Sequence, residues 1–203
     1  MSDRDLYEDA ERGTGEPDER RRRLVVWVFT GAAVLVVGFL AWVFAGRFGE
    51  DVSEIESPLV GKPAASFSLE RLVGDGSVSS ADYEGSVVVV NFWSSWCIPC
   101  RTEHGNLLAV ADAYADRGVR FVGILYQDSE SAGLRFLSEL GRSEDFEYLV
   151  DPGSRTAIDY GVYGIPETFV IGGDGLIAHK ILGPVERPEQ LTVPLDAALG
   201  ATD

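Results

Sequence analysis

Residues Leu24 to Gly46 read LVVWVFTGAAVLVVGFLAWVFAG, 23 consecutive residues without a charge. A helix of that length rises roughly 34 Å, enough to cross the hydrocarbon core of a bilayer. Around this segment the chain is expected to divide into a disordered leader (1–23), a transmembrane anchor (24–46), an acidic tether (47–58) and one domain (59–203) of ordinary single-core size. The flanks are asymmetric. Arg20 to Arg23 precede the segment, whereas Arg47 alone follows before Glu50, Asp51, Glu54 and Glu56. The positive-inside rule therefore puts the N-terminus in the cytoplasm and the domain on the outer face, where disulfides form and persist. A cleaved signal peptide is the competing reading, with Val43-Phe44-Ala45 as its processing site. Its apolar stretch would usually be about 7–15 residues, so the length of this run and the hydrophilic leader before it favour an uncleaved, single-pass anchor. That leader is rich in charge and nearly free of large apolar side chains, too little to offset the entropy of ordering it.

Charge narrows the partners. The net charge is −16, and residues 47–203 alone hold 25 acids against 11 bases. Such a domain repels phosphate backbones, and no basic stripe interleaved with aromatics occurs, which excludes nucleic-acid binding.

Within the domain, Val87 to Phe92 is a continuous β-branched run, the pattern of a central strand buried on both sheet faces. After WSSWCIPC the period changes to helical, with Leu107, Leu108, Ala111 and Tyr114 in register and Arg117-Gly118 as the stop. Val119 to Tyr126 reads as a second buried strand. Residues 130–141 read as a helix with Leu134, Leu137 and Leu140 on one face and Gly141 at its C-terminal cap. A short helix over Thr156–Tyr160 follows, then a hairpin of Glu167–Ile171 and Leu176–Leu182 about Gly172-Gly173-Asp174-Gly175, then a closing helix over 188–199. Ala64 to Leu69 reads as an extra strand, and Tyr83-Glu84-Gly85 as a loop entering the central strand. The order predicts an α/β domain with a mixed central sheet flanked by helices on both faces.

The chain has two cysteines, Cys97 and Cys100, placed where the first buried strand gives way to the first helix. Unpaired N–H groups and the partial positive charge of a helix N-terminus stabilise a thiolate and lower its pKa from the roughly 8.5 of a free cysteine. Cys97 is then the attacking, solvent-facing nucleophile, and Cys100 the resolving thiol that breaks the mixed disulfide. Three other uses of the pair are weaker. Haem attachment needs His after the second cysteine, where Arg101 stands. Zinc would need both cysteines, His104 and the remote His179 to converge, with no spacing to argue for it. A purely structural disulfide would close a tiny loop and stabilise little. No metal site and no cofactor is expected.

The cysteines belong to a longer pattern: NFW before WCIPC, CRTEH after it, GILYQD, and GVYGIPETF about seventy residues on, with LVGKPA upstream. From about Leu59 to Leu199 the chain resembles the thioredoxin superfamily, and specifically the membrane-anchored thiol-disulfide reductases of cytochrome c biogenesis (DsbE/CcmG type, TlpA/ResA-like). The resemblance implies a thioredoxin-like fold and a cis Ile165–Pro166 bond against the sulfurs, leaving Ile165 free to pair with an extended client strand. It also departs from cytosolic thioredoxin, which carries a buried Asp where this chain has Asn91, and an amide cannot accept a proton. The glutamates matching those of the extracytoplasmic reductases are Glu103 and Glu167, either of which could exchange protons with Cys100 or tune the thiols if partly buried. Glu103 as a solvated residue of the first helical turns is the plainer alternative. Trp93 and Trp96 flank the site, one in the core and one a contact surface beside Cys97. His104 is expected on the surface, and His179 has no role.

By the same resemblance the activity is reduction of the CxxCH disulfide of apocytochrome c, or of a haem-ligation component relaying electrons to it. Re-reduction would come from a membrane thiol-electron carrier. A general reductase or oxidase of exported proteins, and a non-catalytic client-binding adaptor, stay open, since Ile98-Pro99 does not decide the direction.

Overall fold

The computed structural model describes residues 19–45 and 57–201. The leader up to residue 18, Gly46 of the anchor, residues 47–56 of the tether and the last two residues lie outside them. The chain divides into two units. In the first, helix α1 (Glu19–Ala45) begins five residues before the apolar run, so residues 19–23, expected in the disordered leader, are helical. Arginine is a good helix former and the stretch holds no breaker. Arg22–Trp42 is long and apolar enough to cross a membrane by length and composition.

The second unit is built on a seven-stranded mixed sheet. Its strands are β1 (Ser68–Arg71), β2 (Ser77–Ser79), β3 (Val88–Trp93), β4 (Arg120–Leu125), β5 (Phe146–Val150), β6 (Glu167–Ile171) and β7 (Ile177–Leu182), in the order β2-β1-β5-β4-β3-β6-β7. β3, β4 and β5 run parallel. β6 joins β3 antiparallel, with Phe92 opposite Glu167, and β7 closes that edge as the expected hairpin. The helices are α2 (Ile98–Tyr114), α3 (Glu130–Leu140), α4 (Arg155–Asp159) and α5 (Glu189–Gly200).

Alternation along β3 divides the core. Val89 and Trp93 point to the face that packs against α2, α3 and α5, with Leu107, Phe136, Leu137, Leu191 and Leu195. Val88, Val90 and Phe92 point to the other face, covered by α4 and the segment entering the sheet, with Phe67, Ala157, Tyr160 and Phe169. Every residue of β3 is buried, as a central strand requires.

Three expectations need correction. β5 is absent from the sequence reading, because FEYLV carries an acid at its second position; Glu147 is paired with Arg71 of β1 at the sheet surface. The extra strand lies at Ser68–Arg71 rather than Ala64–Leu69, and a further short strand, β2, pairs with it. In α3 the buried face is Gly133, Phe136 and Leu137, while Leu134 is 42% exposed. The helix meets the sheet on its glycine: a Cβ on Gly133 would lie 3.0 Å from Leu125 and 3.1 Å from Leu72.

Gly123, in the middle of β4, plays the matching part on the strand side. A Cβ there would come within 3.0 Å of the Phe146 ring and of Trp93 Nε1, and 3.2 Å from Tyr148. These rings are rigid and Trp93, Phe136, Tyr148 and Phe146 pack on one another, so none can give way cheaply. Gly123→Ala is expected to destabilise the domain by about 1–3 kcal/mol through overpacking, read as a lowered midpoint of urea unfolding with unchanged slope.

Candidate active site

The end of β3 delivers the chain to the cysteines through a braced loop. Ser94 Oγ donates to the Tyr126 carbonyl, Asp128 accepts the Ser95 N–H at 2.8 Å, and Trp96 Nε1 donates to the Gln127 carbonyl at 3.2 Å. Gln127 has a positive φ of 46°, a conformation rarely adopted without an external hold. Strand ends of β3 and β4 are thus tied together beside the site.

Cys97 is the N-cap of α2, Pro99 sits in the first turn, and the Cys100 N–H points at Cys97 Sγ from 3.1 Å. The two cysteines form a disulfide, with Cα atoms 5.3 Å apart. An N-cap sulfur receiving a helical N–H is the arrangement that stabilises a thiolate. The sulfur pair is more enclosed than the sequence implied. Cys97, expected to face solvent, is 4% exposed and Cys100 2%, because the loop before β6 closes over them: the Ile165 carbonyl oxygen lies 3.8 Å from Cys97 Sγ. The Ile165–Pro166 bond is cis. Trp96 and Ile98 stand exposed around the disulfide while Trp93 is in the core. The structure therefore brings Trp96, Cys97, Cys100 and Ile165 together at one mouth, with Pro166 buried behind.

Beneath that mouth lies a polar network inside an apolar core. Cys100, Glu103, His104, Leu107 and Ala111 form the buried stripe of α2 at helical spacing. Glu103 is thus one turn behind Cys100 on its face, 1% exposed, and not a solvated residue. Its carboxyl accepts from Asn91 Nδ2 at 2.9 Å and from the Val185 N–H at 2.8 Å. Burial pushes its pKa up to about 7, against the opposing pull of those two donors. Asn91 also donates to Thr168 Oγ1 at 3.0 Å, so the amide that cannot take a proton instead orients the group that can. Asn106 clamps the same loop from α2, donating to the Val185 and Glu186 carbonyls. Asn91 as a donor, Thr168 and the Val185 amide were missed by the sequence reading; the helical stripe through Cys100 and Glu103 was the signal available for the carboxyl itself.

His104 corrects an expectation. It is 6% exposed rather than on the surface, with Nε2 2.9 Å from the Gly141 carbonyl and its ring edge-on to Phe136. It shares the stripe with Glu103, and burial lowers its pKa. Glu167 is likewise buried, at 2%. Its carboxylate meets Lys180 Nζ at 2.7 Å and accepts the Tyr163 and Gly164 N–H groups at 3.3 Å each, so it faces the loop and β7. Among the described residues no three His, Cys, Asp or Glu side chains converge on a metal position.

Residues 60–180 match the model of the AhpC/TSA family. The thiol:disulfide interchange protein HelX of Rhodobacter capsulatus is 34% identical over 170 residues, spanning 83% of this chain and 93% of its own length. The thiol:disulfide interchange protein DsbE of Allochromatium vinosum is 40% identical over 67% of this chain and 74% of its own. Among solved structures, a thiol:disulfide interchange protein of the thioredoxin family from Chlorobium tepidum superposes with a TM-score of 0.60 at 31% identity, covering 68% of this chain and 96% of that one.

The Glu103 carboxyl sets a pH dependence of stability. Unfolded, it ionises near 4.5; folded, near 7. Between those values the unfolded chain loses a proton that the folded chain keeps, so stability is full below the lower value and falls as pH rises through the upper one. Glu103→Gln is expected to remove that fall, on the order of 3 kcal/mol, from the difference between urea unfolding of the oxidised protein at pH 4.5 and at pH 8.

Proposed function

Because the chain belongs to the AhpC/TSA family, and is within it a thiol:disulfide oxidoreductase of thioredoxin-like fold, we propose that it reduces the CxxCH disulfide of apocytochrome c, or of a haem-ligation component that relays electrons to it. In this reading the domain works on the outer face of the cytoplasmic membrane, α1 is the retained anchor, and the N-terminus is cytoplasmic. The observation that carries the proposal is the cysteine pair itself. Cys97 caps α2 with a helical N–H 3.1 Å from its sulfur, and the carbonyl edge of the cis-proline loop lies 3.8 Å away.

The chemistry follows from that placement. In the reduced enzyme the Cys97 thiolate attacks one client sulfur, forming a mixed disulfide and expelling the other as a thiolate. Cys100, losing its proton to the Glu103 carboxylate, attacks Cys97 Sγ and expels the second client sulfur; with one proton returned by Glu103 and one from solvent, the client leaves as a dithiol and the enzyme as the disulfide. Two electrons pass from enzyme to client. Glu103 suits the proton step because a carboxyl titrating near neutral pH can both take and return a proton. Trp96, Ile165 and Pro166 frame the client's position, with the Ile165 backbone as the edge on which an extended segment pairs; Glu167 serves that loop from behind.

The direction of the reaction depends on how much the reduced thiolate is stabilised. Neither basic side chain of α2 is aimed at the sulfur. Arg101 is paired with Glu139, and His104 is buried against the Gly141 carbonyl. The helix end is then the main support of the Cys97 thiolate, which favours the oxidised enzyme and hence reduction of clients. Re-reduction by a membrane thiol-electron carrier completes the cycle.

Cys100→Ala leaves Cys97 able to attack but blocks release, so the variant expressed in its own source is expected to accumulate mixed disulfides dominated by apocytochrome c or a haem-ligation component. Cys97→Ser should trap nothing and lose the cytochrome c phenotype. A broad population of trapped exported proteins would make the chain a general thiol-disulfide enzyme, and an unimpaired Cys97→Ser strain would make it an adaptor.

A further inference from the structure

Lys180 is a lysine in an unusual position. It lies on β7 with its side chain 2% exposed, and its Nζ sits 2.7 Å from Glu167 Oε2, whose own side chain is 2% exposed. The ammonium also lies over two aromatic rings, 4.8 Å from the centroid of Phe169 and 5.3 Å from that of Tyr163. Phe169 is its cross-strand partner in the β6–β7 ladder. Tyr163 belongs to the loop beside the disulfide and is 79% exposed.

Burying such a pair gains little stability, since two charges leave water and an apolar pair of the same volume usually does as well or better. What an apolar pair cannot do is accept hydrogen bonds. Glu167 Oε1 accepts the N–H groups of Tyr163 and Gly164, the two residues immediately before Ile165 and the cis bond. One carboxylate oxygen is thus held by the cation on β7, and the other holds the loop. At the far end of that loop the Ile165 carbonyl reaches to 3.8 Å from Cys97 Sγ. The sequence Lys180, Glu167, loop amides, Ile165, Cys97 is continuous, and Ile165 is its link to the sulfur.

We propose that Lys180 is a positioning residue for client capture: through the Glu167 carboxylate it fixes the Tyr163–Gly164 amides, and so sets the Ile165 backbone edge and the Tyr163 ring at the height where an extended disulfide-bearing segment binds. The proposal rests on the reading of the domain as a thiol-disulfide reductase. It assigns Lys180 to binding and not to the electron transfer.

The test compares full-length wild type, Lys180→Met, Lys180→Arg and the double variant E167M/K180M in detergent, with a CxxCH peptide disulfide as substrate. Lys180→Met is expected to raise KM about tenfold, the loss typical of a charge-assisted hold, with kcat little changed and the Cys97–Cys100 potential equal to wild type. Hydrogen exchange at the Tyr163 and Gly164 amides should accelerate by a similar factor, and Lys180→Arg should restore both. The double variant leaves no buried charge unpaired and keeps the fold intact, yet it should show the same rise in KM and the same exchange. A wild-type KM and wild-type exchange in a folded double variant would overturn the proposal, as would a potential that shifts in Lys180→Met. A wild-type chain that turns over no peptide disulfide would overturn the reductase reading instead, and the exchange rates would still decide whether Lys180 sets the loop.

Discussion

Strand β3 is the constraint on which the rest of the domain depends. It is buried on both faces and hydrogen-bonded on both edges, to β4 in parallel and to β6 antiparallel. Its C-terminal end launches the loop to the cysteines, its middle residue Asn91 points into the polar network, and its pairing of Phe92 with Glu167 fixes where β6 begins. The cis proline precedes that first residue of β6 directly. Disulfide, Glu103 carboxyl and loop therefore share one rigid reference, and their spacing survives fluctuation elsewhere.

Two glutamates buried to the same degree illustrate how surroundings divide labour between identical side chains. Glu103 has neutral donors, the Asn91 amide and the Val185 N–H, and desolvation pushes its pKa up to about 7. Glu167 has an ammonium at 2.7 Å and two loop amides. The first is held by neutral donors alone, the second between a cation and the backbone of a loop. Glu167, directly after the proline, and Glu103, three residues past Cys100, look equivalent in sequence, and it is their neighbours on β7 and β3 that separate them.

Much of this was legible before the structure. The apolar run of β3, the helical period after Cys100 and the glycine-rich turn between β6 and β7 are local signals, and each named its element to within a residue or two. The cysteine pair at a strand-to-helix junction, with GVYGIPETF downstream, pointed to the candidate site and to the thioredoxin-like fold. What escaped was non-local. β1 and β5 are short strands that carry charges and pair with each other about eighty residues apart, and the three-residue β2 is too short to signal before β1 is in place. His104 read as a surface residue because one polar side chain says nothing about its face; the stripe through Cys100, Leu107 and Ala111 does. Lys180 was invisible for the same reason, since lysine is almost never buried unless paired and its partner lies on another strand.

The segment by which the chain enters the sheet has a mechanical consequence. Gly61 N–H donates to the Ile177 carbonyl, Ile177 N–H donates to Lys62, and Ala64 N–H donates to Gly175, with Pro63 bridged to Leu176. Tension arriving along the chain from residue 57 meets these bonds to the β6–β7 turn and the first residue of β7 before it reaches β1. The hairpin end remote from the disulfide thus takes the load first, and its three hydrogen bonds act as a sacrificial clasp that can yield while β3 and the cysteines keep their register.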